Sequence, residues 1–156
     1  LSIEDPVAQD DMAGMAQATA RFGEQVQVIG DDFLVTNAAR VETAAAAGAC
    51  NAVLVKVNQA GTVTEARQAL DAARGHGWAA IVSARSGETE DATITHLSTG
   101  WNAGQLKVGS FARSERMVKW NELLRIEEEM GADAVFAGAS AFCAPVAQAL
   151  TRARAA

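Results

Sequence analysis

Five short apolar runs in this sequence end in residues able to carry charge or hand over a proton. "LSIED" ends at Glu4, "VQVIGDD" at Asp31, "NAVLVK" at Lys56 and "WAAIVSARS" at Ser83 to Ser86, while "GQLKVG" carries Lys107. Glu4 and Asp31 offer hard carboxylate oxygens of the kind Mg2+ prefers. Lys56 closes the most apolar run, and low-dielectric walls there favour the neutral amine that a general base needs. In "AIVSARSGETED", the donor fork of Arg85, the hydroxyls of Ser83 and Ser86 and the bare backbone of Gly87 make a cradle suited to phosphate. Each feature also has a plainer reading: a turn acid in "EDP", a helix-capping pair in "DDFLVTN", a lysine snorkelling from a strand end, and an SxRSG loop that by its spacing alone carries little.

The elements that must position these residues recur at a steady interval. Glu4, Asp31, Lys56, Ser83 and Lys107 follow one another at 27, 25, 27 and 24 residues, the length of one strand, one helix and two loops. Between them lie helix signals. Thr62 and Glu65 form a capping box before "EARQALDAAR", which Gly75 stops, and Asn37 caps "AARVETAAAA", which Gly48 closes. Ser114 is expected to cap "ERMVKWNELLRIEEEM", with Met117, Trp120, Leu123, Leu124 and Met130 on one apolar face, Glu115 and Lys119 paired on the exposed side, and Gly131 as the stop. "DAVFAG" reads as a weak sixth strand. Strands alternating with helices imply a parallel sheet, which an open doubly wound fold and a barrel both satisfy. No GxGxxG follows the first strand, and ionisable groups at several strand ends favour the barrel. A whole barrel takes eight strands and typically ~250 residues, so the expected fold is α/β, a partial (β/α)8 TIM-type barrel of about five βα units.

Composition narrows the functional classes. The 156 residues are 49% hydrophobic and 21% charged with 2 Pro, which argues against disorder and for one domain with a real core. A net charge of -6 with no basic run argues against nucleic acid or an anionic membrane surface as partner. No apolar run reaches the ~18 residues of a membrane span, and no export signal opens the chain. Cys50 and Cys143 lack metal or disulfide-framework spacing, so two inert buried thiols in a reducing cytoplasm are expected. The opening "LSIEDP" reads as the end of a strand entered from upstream, with an N-terminal portion expected before it.

The blocks "SIEDP", "GDDFLVTN", "LVKVNQAGTVTEA", "VSARSGETEDATI", "GQLKVG" and "RSERMVKWNELLRIEEEMG" stand together in an order that resembles the C-terminal barrel portion of enolase, phosphopyruvate hydratase. The resemblance runs from residue 1 to about 138 and leaves 139–156 as a tail, read as helical. It implies a Mg2+-dependent lyase of glycolysis that converts 2-phosphoglycerate, a phosphorylated three-carbon acid, to phosphoenolpyruvate and water. By resemblance Lys56 is the catalytic base, and Glu4 and Asp31 are two of three carboxylates on the metal. Arg85 and Ser86 would bind the phosphoryl group, Ser83 would line the same loop, and Lys107 would contact the substrate. Asp5 and Asp32 are the structural members of their acid pairs, and the "GETED" acids cap the next helix.

Departures from the family pattern matter equally. Ala84 stands where the family has a substrate-contacting histidine, and His96, inside the following helix, cannot replace it. His76 falls in a solvent-side turn. The family's third metal carboxylate, general-acid glutamate and lid loops belong upstream of Leu1. Two readings follow: a portion of an enolase-like lyase that is inactive by itself, or a catalytically silent barrel fragment serving as a structural or interaction module. A half barrel would leave unpaired strand edges, so homo-oligomerisation is expected.

Overall fold

The computed structural model describes residues 1–155. Five strands, β1 (Ser2–Glu4), β2 (Gln27–Gly30), β3 (Ala52–Val55), β4 (Ala79–Ser83) and β5 (Gly104–Lys107), form one sheet in sequence order. Every neighbouring pair is parallel, so each strand must return to its starting side through a crossover. The crossovers are α1 (Met12–Phe22), α2 (Ala38–Ala46), the short α3 (Val57–Ala60) with α4 (Val63–Gly75), and α5 (Thr93–Gly100). After β5 come α6 (Ser114–Met130), two 3-10 turns at Gly131–Asp133 and Gly138–Ala141, and α7 (Ala144–Ala155). Among the described residues no helix is long and apolar enough to cross a membrane.

The sheet is curled. In a flat sheet β1 and β5 would lie about 19 Å apart, at roughly 4.8 Å per strand. Yet Lys107 on β5 holds Glu4 on β1 at 2.6 and 2.8 Å, and the Gln27 and Gln105 amides exchange reciprocal 3.0 Å hydrogen bonds between β2 and β5. These contacts require a half barrel whose concave face holds alternate residues of each strand.

That alternation divides the core in two. Val28, Val53, Val55, Ala80 and Val82 face outward and pack against Met15 of α1, Val41 and Ala44 of α2, and Ala66, Leu70 and Ala73 of α4. Ile29, Ala52, Leu54, Ala79 and Ile81 face inward, where Cys143 and Val146 cover them with help from Phe142 and Leu150. The tail therefore lies on the concave face. Gly30 is dictated by packing, because a Cβ there would come within 2.5 Å of Leu34.

Asn37 and Thr62 cap as expected, accepting the Arg40 and Glu65 amides at 3.1 Å each, and Thr62 also donates to the Glu65 carboxylate at 2.7 Å. Gly48 and Gly131 take up positive φ past their helices, whereas Gly75 stays inside α4 and the reversal falls to Gly77. Four further expectations are corrected. Ser114 is the first residue of α6 and makes no cap; Arg113 precedes it with φ 70. The apolar face of α6 is not its buried face: Leu124 and Met130 are exposed, and Arg116 and Lys119 are buried instead. Lys119 reaches the Glu88 carboxylate at 2.9 Å rather than pairing with the Glu115 side chain. "DAVFAG" forms no strand, because the chain leaves the free edge of β5, and Val135 and Phe136 stay 85% and 95% exposed.

Both cysteines are free and buried, as the sequence led us to expect. Burial, and secondarily the Asp5 carboxylate, pushes the Cys50 thiol up to about 12, and burial also raises Cys143. Neither thiol should react with a disulfide reagent at pH 8 in the folded protein. Val146→Asp, which places a charge in the inner cluster, should open Cys143 to the reagent while Cys50 stays protected. Equal reactivity of both thiols would mean that α7 does not cover the face separately from the rest of the fold.

Candidate active site

Because all strands run the same way, their C-terminal ends share one rim of the half barrel, and the inward alternation brings the candidate residues to its inside. Asp31 follows Gly30 in the inward series Gln27, Ile29, Asp31; Lys56 follows Leu54; Ser83 follows Ile81. Lys56 Nζ lies 2.5 Å from Asp31 Oδ2, with side chains only 11% and 8% exposed. Asp31 Oδ1 is buried and has no hydrogen-bond partner among the described residues. Glu4 is drawn to Lys107 rather than to Asp31. Ser83 stands level with Lys107 in the β4–β5 register, and its hydroxyl donates to the Ala84 carbonyl at 2.8 Å.

The loop after β2 is held under tension. Asp5, at φ 41, accepts the Asp31 and Asp32 amides on its two oxygens at 2.9 and 2.8 Å, the structural part expected for it. Asp and Asn tolerate this region; β-branched residues avoid it. Yet Val35 and Thr36 sit at φ 47 and 52. What offsets their strain is a buried polar chain: Thr36 Oγ1 accepts the Lys56 amide at 3.0 Å and donates to Gln59 Oε1 at 2.7 Å. Asp5, Asp31 and Asp32 each bring a carboxylate oxygen within 4.8 Å of the others. Thr36 and Gln59 carried no sequence signal, since a threonine in a loop and a glutamine in a short helix are ordinary.

The segment after β4 carries Arg85 and Ser86. The Arg85 guanidinium donates to Asn58 Oδ1 of α3 at 3.2 Å, which links this loop to the one after Lys56. Lys56 and Lys107 each have a carboxylate partner, but Arg85 has none among the described residues. Of the "GETED" acids, Asp91 accepts the Thr93 amide at 2.8 Å ahead of α5. The Thr93 backbone and side chain together hold its carboxyl below the ordinary 3.8. Glu88 instead turns inward to Lys119. His96 lies within α5, 2.8 Å from Glu122, and His76 lies at the surface, 2.7 Å from Glu42. Neither takes the place left by Ala84.

A curled parallel sheet with alternating helices, and charged side chains gathered at the C-terminal ends of its strands, defines a segment of a TIM-type barrel. The family described as "Enolase, C-terminal TIM barrel domain" matches residues 1–144. The chain belongs to that family. It is 55% identical over 140 residues to "Enolase" of Solanum lycopersicum, covering 90% of this chain and 32% of that protein. It is 54% identical over 146 residues to "Enolase 2" of Hevea brasiliensis, covering 94% and 33%. The chain thus spans about a third of the length of these relatives.

Removing one member of the Lys56–Asp31 pair leaves an uncompensated buried charge. Lys56→Met should destabilise the fold by roughly 3–5 kcal/mol, read as a lower urea midpoint. Lys56→Met with Asp31→Asn should recover most of that loss, and a double variant no more stable than the single one would refute the pairing.

Proposed function

We propose that this chain supplies the base, phosphate-cradle and part of the metal-ligand set of an enolase site, which dehydrates 2-phosphoglycerate to phosphoenolpyruvate in the cytoplasmic glycolytic pathway. The observation that carries this reading is the guanidinium of Arg85, held at the rim with no carboxylate partner among the described residues. An unneutralised donor fork beside Ser86, near the Lys107 strand, suits a phosphoryl group. Lys56 would have to leave its ion pair with Asp31 as the neutral amine before taking the proton alpha to the carboxylate, and Ser83 and Lys107 orient the substrate beside it.

The residues fit the implied Mg2+. Asp31 Oδ1 is a buried carboxylate oxygen without a partner among the described residues, and Glu4 and Asp31 are hard donors at the ends of adjacent strands. A bound cation supplies positive charge against the substrate carboxylate as its alpha carbon loses a proton. Glu4 would have to exchange Lys107 for the metal, and that lysine would then be free to meet the substrate.

The 156-residue chain by itself should form no phosphoenolpyruvate from 2-phosphoglycerate and Mg2+, since the family's general acid and third carboxylate lie upstream of Leu1 in family order. Ultraviolet detection of product, abolished by Lys56→Ala, would overturn that expectation. Binding should survive weakly: NMR titration at low salt should give shifts around Arg85 at millimolar ligand, roughly -4 kcal/mol, and Arg85→Ala should remove them. Equal shifts in both proteins, or none in either, would favour the second reading, a silent module retained for structure or interaction.

Self-association belongs to both readings. The strands β1 and β5 each pair on one side only among the described residues, and Val135 and Phe136 are exposed. Light scattering should give a dimer mass at tens of micromolar, roughly the working range for such contacts; a clean monomer would count against it.

A further inference from the structure

Two cations on α6 take no part in the chemistry above and are nonetheless buried: Arg116 is 5% exposed and Lys119 0%. Charges are costly to bury unless each donor finds an acceptor. Arg116 Nη1 donates to the Arg85 and Val108 carbonyls at 2.8 and 2.9 Å, and its Nη2 donates to the Ser86 carbonyl at 2.9 Å. Lys119 Nζ donates to the Thr89 and Glu115 carbonyls at 2.9 Å and meets the Glu88 carboxylate at 2.9 Å. The other oxygen of Glu88 accepts the Arg85 amide at 2.7 Å. The backbone from Arg85 to Thr89 is therefore fastened to one helix at both ends.

The polarity of that fastening has a geometric result. In a planar trans peptide the carbonyl and the following amide point in opposite directions. Drawing the Arg85 and Ser86 carbonyls onto Arg116 turns the amides of Ser86 and Gly87 away from α6. Neither amide has an acceptor among the described residues. Two successive amides that both face away from α6 beside an arginine leave free donors for an anion.

We propose that Arg116 and Lys119 are positioning residues that hold the Arg85–Thr89 backbone so that the Ser86 and Gly87 amides join the Arg85 guanidinium on a single phosphate-type anion. This rests on the reading of that segment as a phosphate cradle. The arrangement requires a guanidinium at 116, since three carbonyls in two directions need a planar fork that an ammonium lacks.

The test pairs two measurements on three proteins: the parent, Arg116→Lys, and Lys119→Met with Glu88→Gln, which removes both buried charges and strands neither. Backbone amide order parameters should fall from about 0.85 toward 0.6 between Arg85 and Glu90 in both variants, with β3 and α4 unchanged, as a local loosening requires. Titration with inorganic phosphate should show about tenfold weaker binding in Arg116→Lys, with Ser86 and Gly87 amide shifts in the parent. Order parameters that fall evenly along the chain, or not at all, would overturn the positioning role. A parent indifferent to phosphate would overturn the cradle and its ligand-facing amides, whatever the order parameters.

Discussion

The whole candidate site depends on parallel pairing with a two-residue side-chain period. Parallel strands deliver their C-terminal ends to one rim, and the period decides which of those end residues points inward. A slip of one residue in β2 or β3 would turn Asp31 or Lys56 out toward the helices and break the pair between them. The register is fixed because both faces of the central strands are buried, with apolar residues of different size on each. Curling then brings the two ends of the sheet within reach, and Glu4 closes on Lys107 across the concave side.

The rim is where the structure accepts unfavourable local terms. It holds two β-branched residues in succession at positive φ, a buried carboxylate oxygen without a partner, and a buried ion pair. Each would be worth removing if stability were the only requirement, and the rest of the fold offsets them through the continuous burial of β2, β3 and β4. Ala84 fits the same picture in reverse: it is a buried small side chain between Ser83 and Arg85 in sequence, and it asks nothing of its neighbours.

Much of this was legible in the sequence because it follows from periodicity. The apolar runs, their spacing, the caps at Asn37 and Thr62 and the grouping of Glu4, Asp31, Lys56, Ser83 and Lys107 at strand ends need only local pattern. The failures share a cause as well. On α6 the helical spacing of Met117, Trp120 and Leu124 marked an apolar face, but the helix turns Arg116 and Lys119 inward because the loop after β4 presents carbonyls and the Glu88 carboxylate, which their donors satisfy. "DAVFAG" has the composition of a strand and no strand beside it. Thr36 and Gln59 act through contacts 18 to 23 residues distant, which no local pattern encodes. Which carboxylate meets which lysine was likewise a matter of curl, and curl is not a property of any single strand.

The placement of α7 affects how the molecule comes apart. Helices α1, α2 and α4 are each stitched between two strands, so none can lift away without straining the sheet at both ends. The tail is attached to the sheet's chain only through residues 108–143 and could detach while the strands stay paired, a partial opening that needs less free energy than global unfolding. Such an opening would uncover Ile29, Ala52, Leu54, Ala79 and Ile81 as a continuous apolar strip between two strands with unpaired edges. Strips of that kind template aggregation. Solubility on heating would then be governed by the hold of Cys143 and Val146 on that strip, well before the sheet itself melts.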